Sequence, residues 1–267
     1  EKGTGGIGLC GEFGIEKAIG YADARPGETF PKLGIGLLTR PEAPAYRFFA
    51  PHEIAALFQI EIEMMSNQAR FVVEPLDCRG YAVRVTKTLS VNENWLTIAY
   101  HLENRGSKPI HTHEYCHNFI GIDNHVVGPD YRLRMPYPVS IQTNYESFRG
   151  FLPPLIGKIA PKFILKLLVD RMAGSSVLAM KGNEVNWKSV PANAFFCNPL
   201  GSFQTDQAQW ELAHLPSGVM VREYDDFQPA RVALWGQKHV VSPEVYIDVD
   251  VEPGESQAWT RRYEFTA

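Results

Sequence analysis

Apolar side chains recur at every second position through most of this chain, and that period decides what it can fold into. In Ala82–Val91 the residues Val83, Val85, Leu89 and Val91 fall on one face, and Asn92-Glu93-Asn94 then turns the chain. Trp95–Glu103 resumes the pattern with Leu96, Ile98, Tyr100 and Leu102 on one side, ending at Asn104-Arg105-Gly106. Period two interrupted by turn residues is the pattern of an antiparallel meander. Runs of the same kind are expected at Phe58–Met64, Ala69–Glu74, Ile110–Ile122, Val177–Lys181, Ala192–Cys197, Gln209–His214, Val219–Tyr224, Arg231–Trp235, Glu244–Val251 and Ser256–Phe265. So many short strands, with no alternation of helices between them, predict a mainly β chain built as a large antiparallel sandwich or barrel and exclude a doubly wound α/β fold.

Two stretches depart from the period. Leu155 to Met172 has helical spacing, with Pro161 near its start and Gly174 beyond its end, so a helical insertion is expected at about residues 155–173, capping a sheet stack. The glycine-rich first forty residues read as loops crossing a sheet face. Gly3-x-Gly5-x-x-Gly8 matches a dinucleotide fingerprint, but no strand precedes it and no helix follows, so no such cofactor is expected. No internal repeat is visible. With 45% hydrophobic residues in 267, the chain can bury one large core, and a single domain over residues 1–267 is expected.

Charge excludes several partner classes. A formal net charge of −4 with no basic block disfavours nucleic acid, whose phosphates demand a concentrated cationic face. No like-charge block marks a membrane surface, and no apolar window of about 18 residues spans a bilayer. Cys10, Cys78, Cys116 and Cys197 lack CxxC spacing, so packed lone thiols are expected rather than a zinc site or two disulfides. The compartment stays open, with the cytoplasm favoured.

The chemistry concentrates in Ile110-His111-Thr112-His113-Glu114-Tyr115-Cys116-His117-Asn118-Phe119. On a strand, His111, His113, Tyr115, His117 and Phe119 share one face and Thr112, Glu114, Cys116 and Asn118 the other. An imidazole is costly to bury without a partner and titrates near neutrality, so three on one face point to a site. In Ser242-Pro243-Glu244-Val245-Tyr246-Ile247-Asp248-Val249-Asp250-Val251 the valines and Ile247 form a buried stripe, placing Glu244, Tyr246, Asp248 and Asp250 on the other side. Glu244 stands at the strand start, near a loop rim where sites tend to sit.

A His-bearing strand near mid-chain, a late Glu strand, then Glu252-Pro253-Gly254-Glu255-Ser256 and a closing strand with Trp259, Tyr263, Glu264 and Phe265 resemble the galactose-mutarotase (aldose 1-epimerase) superfamily over roughly residues 80–265. His113-Glu114-Tyr115 fits the family's His-x-Tyr pattern, and Tyr115-Cys116-His117-Asn118-Phe119 resembles the Tyr-His-x-Asn-Phe version of uncharacterised relatives. The resemblance implies a β-supersandwich of galactose-mutarotase type that binds a sugar without a metal or other cofactor. It implies His117, or alternatively His113, as general acid and Glu244 as general base, facing each other across a sugar-sized gap. His113, Tyr115, Asn118, Arg70, Trp235 and Glu12 are the expected substrate-binding residues: Trp235 and Tyr115 as ring platforms, Arg70 and Asn118 as hydroxyl partners. The family's early His-Gly-Gly motif is absent, and Glu12 stands in the corresponding region. That departure leaves a sugar-binding or sensing domain without catalysis as an alternative. His111, His113, Glu114 and His117 also resemble a cupin metal set, but Glu114 points the other way and no His follows Pro253-Gly254.

Overall fold

A computed structural model describes residues 8–43, 45–48, 50–141, 169–170, 172–201 and 209–267. Among the described residues the chain forms eighteen strands in three antiparallel sheets. The first sheet has five strands in the order β1 (Gly8–Phe13), β9 (Ile110–Phe119), β17 (Val240–Val251), β16 (Arg231–Gln237) and β13 (Phe195–Cys197).

The second sheet has ten. They run β11 (Leu178–Lys181), β12 (Glu184–Trp187), β10 (Tyr131–Arg134), β14 (Gln209–His214), β15 (Met220–Asp225), β18 (Ser256–Thr266), β8 (Trp95–Asn104), β7 (Val83–Asn92), β6 (Gln68–Glu74) and β5 (Gln59–Met64). A small third sheet joins β2 (Thr29–Lys32), β3 (Gly36–Thr39) and β4 (Ile54–Leu57).

The period-two runs become strands because each places an apolar row against the facing sheet. Ile110, Val245, Ile247, Val249 and Val251 of the five-stranded sheet share one buried cluster with Val85, Ile98, Leu102 and Trp259 of the ten-stranded one. Alternation names this inner row correctly for β7 and β8 at their middles, but Val91 at the hairpin end is exposed. The Asn92-Glu93-Asn94 turn forms as expected, with Asn92 in register with Trp95 and Glu93 in the left-handed region at φ 53°.

From residue 8 the early part of the chain differs from expectation. Gly8–Phe13 is a full strand on the edge of the five-stranded sheet, in register with β9 from Gly8↔Phe119 to Phe13↔Glu114. Gly11 serves close approach rather than looping: a Cβ there would collide with the Tyr100 hydroxyl and come within 3.2 Å of Glu114 Oε1. The expected helix at Leu155–Met172 lies mostly outside the described residues, and Val169, Asp170 and Met172 at its end are helical. All four cysteines are free, three buried and Cys10 exposed.

Between the sheets lies a polar cluster that sequence patterning does not announce. Arg261 on β18 is fully buried and donates to Glu114 at 2.7 Å, Glu223 at 3.3 Å, Asp225 at 3.4 Å and the Val245 carbonyl at 3.0 Å. One guanidinium faces three carboxyls. Burial pushes Glu223 up, and burial together with the neighbouring Glu223 pushes Asp225 well up, while the Arg261 charge pulls both back down.

Candidate functional site

The outer face of the five-stranded sheet gathers the chemistry. Register on β9 and β17 runs Tyr246↔Tyr115 and Asp248↔His113, which carries Glu244 level with His117 two residues further on. On the other side of β9, Cys10 is in register with His117 and Glu12 with Tyr115. Beyond β17, Arg231 is in register with Tyr246 and Trp235 with Ser242. Even spacing along four adjacent strands thus lays Cys10, Glu12, Tyr115, His117, Phe119, Ser242, Glu244, Tyr246, Arg231 and Trp235 on one surface.

At its centre His117 and Glu244 touch. Nδ1 of His117 lies 2.8 Å from Glu244 Oε1, and its Nε2 lies 2.7 Å from the Tyr115 hydroxyl. An ionised carboxylate can only accept, so Nδ1 carries the proton, and on a neutral ring Nε2 then accepts from Tyr115. Glu244 also accepts from the Ser242 hydroxyl at 3.1 Å and, on Oε2, from the Tyr246 hydroxyl at 3.3 Å. The carboxylate is therefore enclosed by donors, with its side chain only 2% exposed against 22% for His117. The expected sugar-sized gap between the two groups does not form: they bond directly, and Glu244 is buried because β17 runs in the middle of its sheet with both faces covered at this point.

Around this pair stand aromatic rings. The Phe119 ring stacks on the His117 imidazole at 4.8 Å and 10°, and Trp235 meets Phe119 edge-on at 5.3 Å. All three are partly exposed, so they form a wall with an accessible apolar face. Tyr115, expected as a platform, is fully buried: Tyr246 stacks on it at 4.5 Å, and Ile15 and Phe196 pack against the pair. Burial and then the Glu244 charge push its phenol far above the ordinary tyrosine range. Arg231 lies 3.9 Å over the Tyr246 ring and pairs with Glu16. His113 is held down to about 4, mainly by burial and then by the Arg231 charge, so it is neutral near pH 7.

The remaining expectations divide. Glu12 reaches this face, where it pairs with Lys32 at 2.6 Å. Asn118 does not: alternation turns it inward, fully buried, where its amide donates to the Pro243 carbonyl at 2.7 Å and to Glu223 at 3.2 Å. Arg70 is also misplaced. It sits on β6 of the other sheet, next to the edge strand, and pairs with the exposed Glu63 at 3.0 Å. Phe119, Ser242 and Tyr246 were missed as site residues, although their alternation with His117 and Glu244 was the signal that placed them. The cupin set comes apart: His111 bonds Asp250 at 2.8 Å, Glu114 turns inward to Arg261, and no metal-ligating cluster occurs among the described residues.

No protein-family profile and no curated protein matches this sequence. Solved structures do. A galactose mutarotase-like protein from Lactobacillus casei ATCC 334 superposes with a TM-score of 0.56 at 12% identity, covering 97% of this chain and 85% of that one. A galactose mutarotase-like protein from Clostridium acetobutylicum gives 0.53 at 11% identity, covering 97% and 79%. An aldose epimerase homologue from C. elegans gives 0.52 at 13% identity, covering 95% and 81%. Likeness at these identities speaks to architecture, and in architecture the chain is a galactose mutarotase-like β-supersandwich.

Proposed function

We propose that the protein binds a sugar against the His117–Phe119–Trp235 wall and interconverts its anomers, with His117 moving the proton and Glu244 holding the resulting charge. The observation that carries this reading is the 2.8 Å contact between a partly exposed imidazole and a buried carboxylate beside accessible aromatic rings. Aromatic faces suit the apolar face of a pyranose. Ring opening needs the proton of the anomeric hydroxyl removed and the ring oxygen protonated as the C1–O5 bond breaks. A sugar hydroxyl that displaces the Tyr115 hydroxyl from Nε2 gives its proton to His117, and the imidazolium, steadied by Glu244, returns it to O5. Rotation about C1–C2 and closure then give the other anomer. His113, neutral at physiological pH, serves as a hydrogen-bonding partner in this scheme. The superfamily resemblance implies Glu244 as the base; this scheme departs from it, because the direct contact with Nδ1 lets Glu244 act through His117 rather than on the sugar.

A second reading has its own observation. Glu244 is sealed by three side-chain donors, which favours a sugar-binding or sensing domain without catalysis. Polarimetry of freshly dissolved α-aldoses separates the two. The enzyme reading expects faster mutarotation with wild type and a loss of at least about a hundredfold with E244Q or H117N. Saturable sugar binding without acceleration sinks the enzyme reading and leaves the binding domain; no binding of any aldose sinks both.

A further inference from the structure

We propose that Ser242 is a positioning residue of this site: its hydroxyl ties the Glu244 carboxylate to the backbone of β9 and thereby fixes the proton of His117 on Nδ1. The inference rests on the acid–base reading above and assigns a role to a residue whose hydroxyl bonds the carboxylate and not the imidazole.

The geometry points one way. The Asn118 backbone N–H donates to Ser242 Oγ at 2.9 Å, and Ser242 Oγ donates to Glu244 Oε1 at 3.1 Å. That is the same oxygen that meets His117 Nδ1. A hydroxyl has one proton to give, and here it is committed to the carboxylate because its own acceptor side is taken by a peptide N–H. Asn118 in turn is clamped from the core. Its amide donates to the Pro243 carbonyl and to Glu223, and its Oδ1 accepts from the Tyr263 hydroxyl at 2.9 Å. A rigid interior thus sets the Asn118 N–H, the N–H sets Ser242, and Ser242 sets the carboxylate. Ser242 is fully buried, so neither solvent exposure nor surface polarity accounts for a hydroxyl at this point. Without it, Oε1 keeps only the imidazole as a side-chain donor, and the carboxylate is free to turn toward the Tyr246 hydroxyl. The preference of His117 for the Nδ1–H tautomer then relaxes toward that of a free imidazole, whose proton resides mainly on Nε2, the nitrogen that must be empty to accept from a sugar.

The test is the ¹⁵N spectrum of histidine-labelled protein, with the His117 signals identified by their absence in H117N. Wild type should show the Nδ1-protonated signature, S242A a signature averaged between the two tautomers, and S242T, which restores the hydroxyl, the wild-type one. Mutarotation should fall about tenfold in S242A and recover in S242T. If S242A does not fold, S242C fills the same volume with a poor donor and is read in the same way. An unchanged tautomer signature in S242A or S242C overturns the proposal whatever the rate does. A changed signature in a protein whose wild type does not accelerate mutarotation upholds the positioning role and sinks the enzyme reading, so the two fail separately.

Discussion

Replacing Arg261 by Met should expose how the core cluster balances its charge. In the folded protein Arg261 is the cation at the centre of Glu114, Glu223 and Asp225, and nothing there is open to water. Burial already pushes Glu223 up and Asp225 well up, so losing the cation makes an ionised carboxylate in this cluster costlier still. R261M removes that cation, and the cheapest response of the folded state is to take up one more proton. For a carboxyl that titrates near 4.3 when unfolded, that uptake costs about 1.4 kcal/mol for each pH unit above 4.3, or about 4 kcal/mol at pH 7. At pH 5 the same step costs about 1 kcal/mol. The sign follows from linkage. A carboxyl raised on folding binds more protons folded than unfolded, so its contribution is largest at acid pH and is lost as pH climbs from the ordinary carboxyl range through the raised value. Urea unfolding followed by tryptophan fluorescence is the assay, since Trp210 and Trp259 donate to Glu223 and Glu114 within the cluster. The expected deficit is about 4 kcal/mol at pH 7, shrinking to about 1 kcal/mol at pH 5, with a fall in Tm of roughly 10 °C at the higher pH. A deficit under about 1 kcal/mol at pH 7, or one of equal size at both pH values, would refute the charge-balance argument.

Two further outcomes follow from packing and exposure. Ellman's reagent should react with Cys10 alone in the native protein and with all four thiols after unfolding, because Cys78, Cys116 and Cys197 are buried and burial also pushes the Cys116 thiol up. Since Cys10 is in register with His117, the mixed disulfide formed there should also block sugar binding; a second fast-reacting thiol, or full binding after modification, contradicts this layout. G11A should cost about 1–3 kcal/mol by thermal melt, because the new methyl meets the Tyr100 hydroxyl inside the core, and a neutral result would mean that Tyr100 can step aside.

Much of this molecule is written in local pattern. Alternation along Val83–Asn92, Trp95–Asn104 and Ile110–Phe119 is enough to find these strands and to say which of their side chains turn together, since successive residues on a strand must face opposite ways. It also puts His117 beside Phe119 and Glu244 beside Tyr246 before any pairing is known. What alternation cannot say is what covers the second face. Asp248 and Asp250 lie on the water-facing row of β17 as the pattern reads, but Glu244 and Tyr246 of the same row are buried, because neighbouring strands and packed rings close over that end of the sheet. Gly8–Phe13 looks like loop by composition and becomes strand β1 because it has a partner in β9 and a core that requires glycine at position 11.

Long-range pairing decided the rest. Glu114, Glu223 and Arg261 belong to β9, β15 and β18, and Asp225 ends β15; in sequence each is an ordinary charged residue on an alternating strand. Only the stacking of two sheets turns them into a buried cluster, because the free energy of a charge depends on which partners the fold brings within hydrogen-bonding distance and not on its neighbours along the chain. The contact between His117 and Glu244 has the same origin: 127 residues separate them, and the antiparallel register of β9 and β17 makes them neighbours.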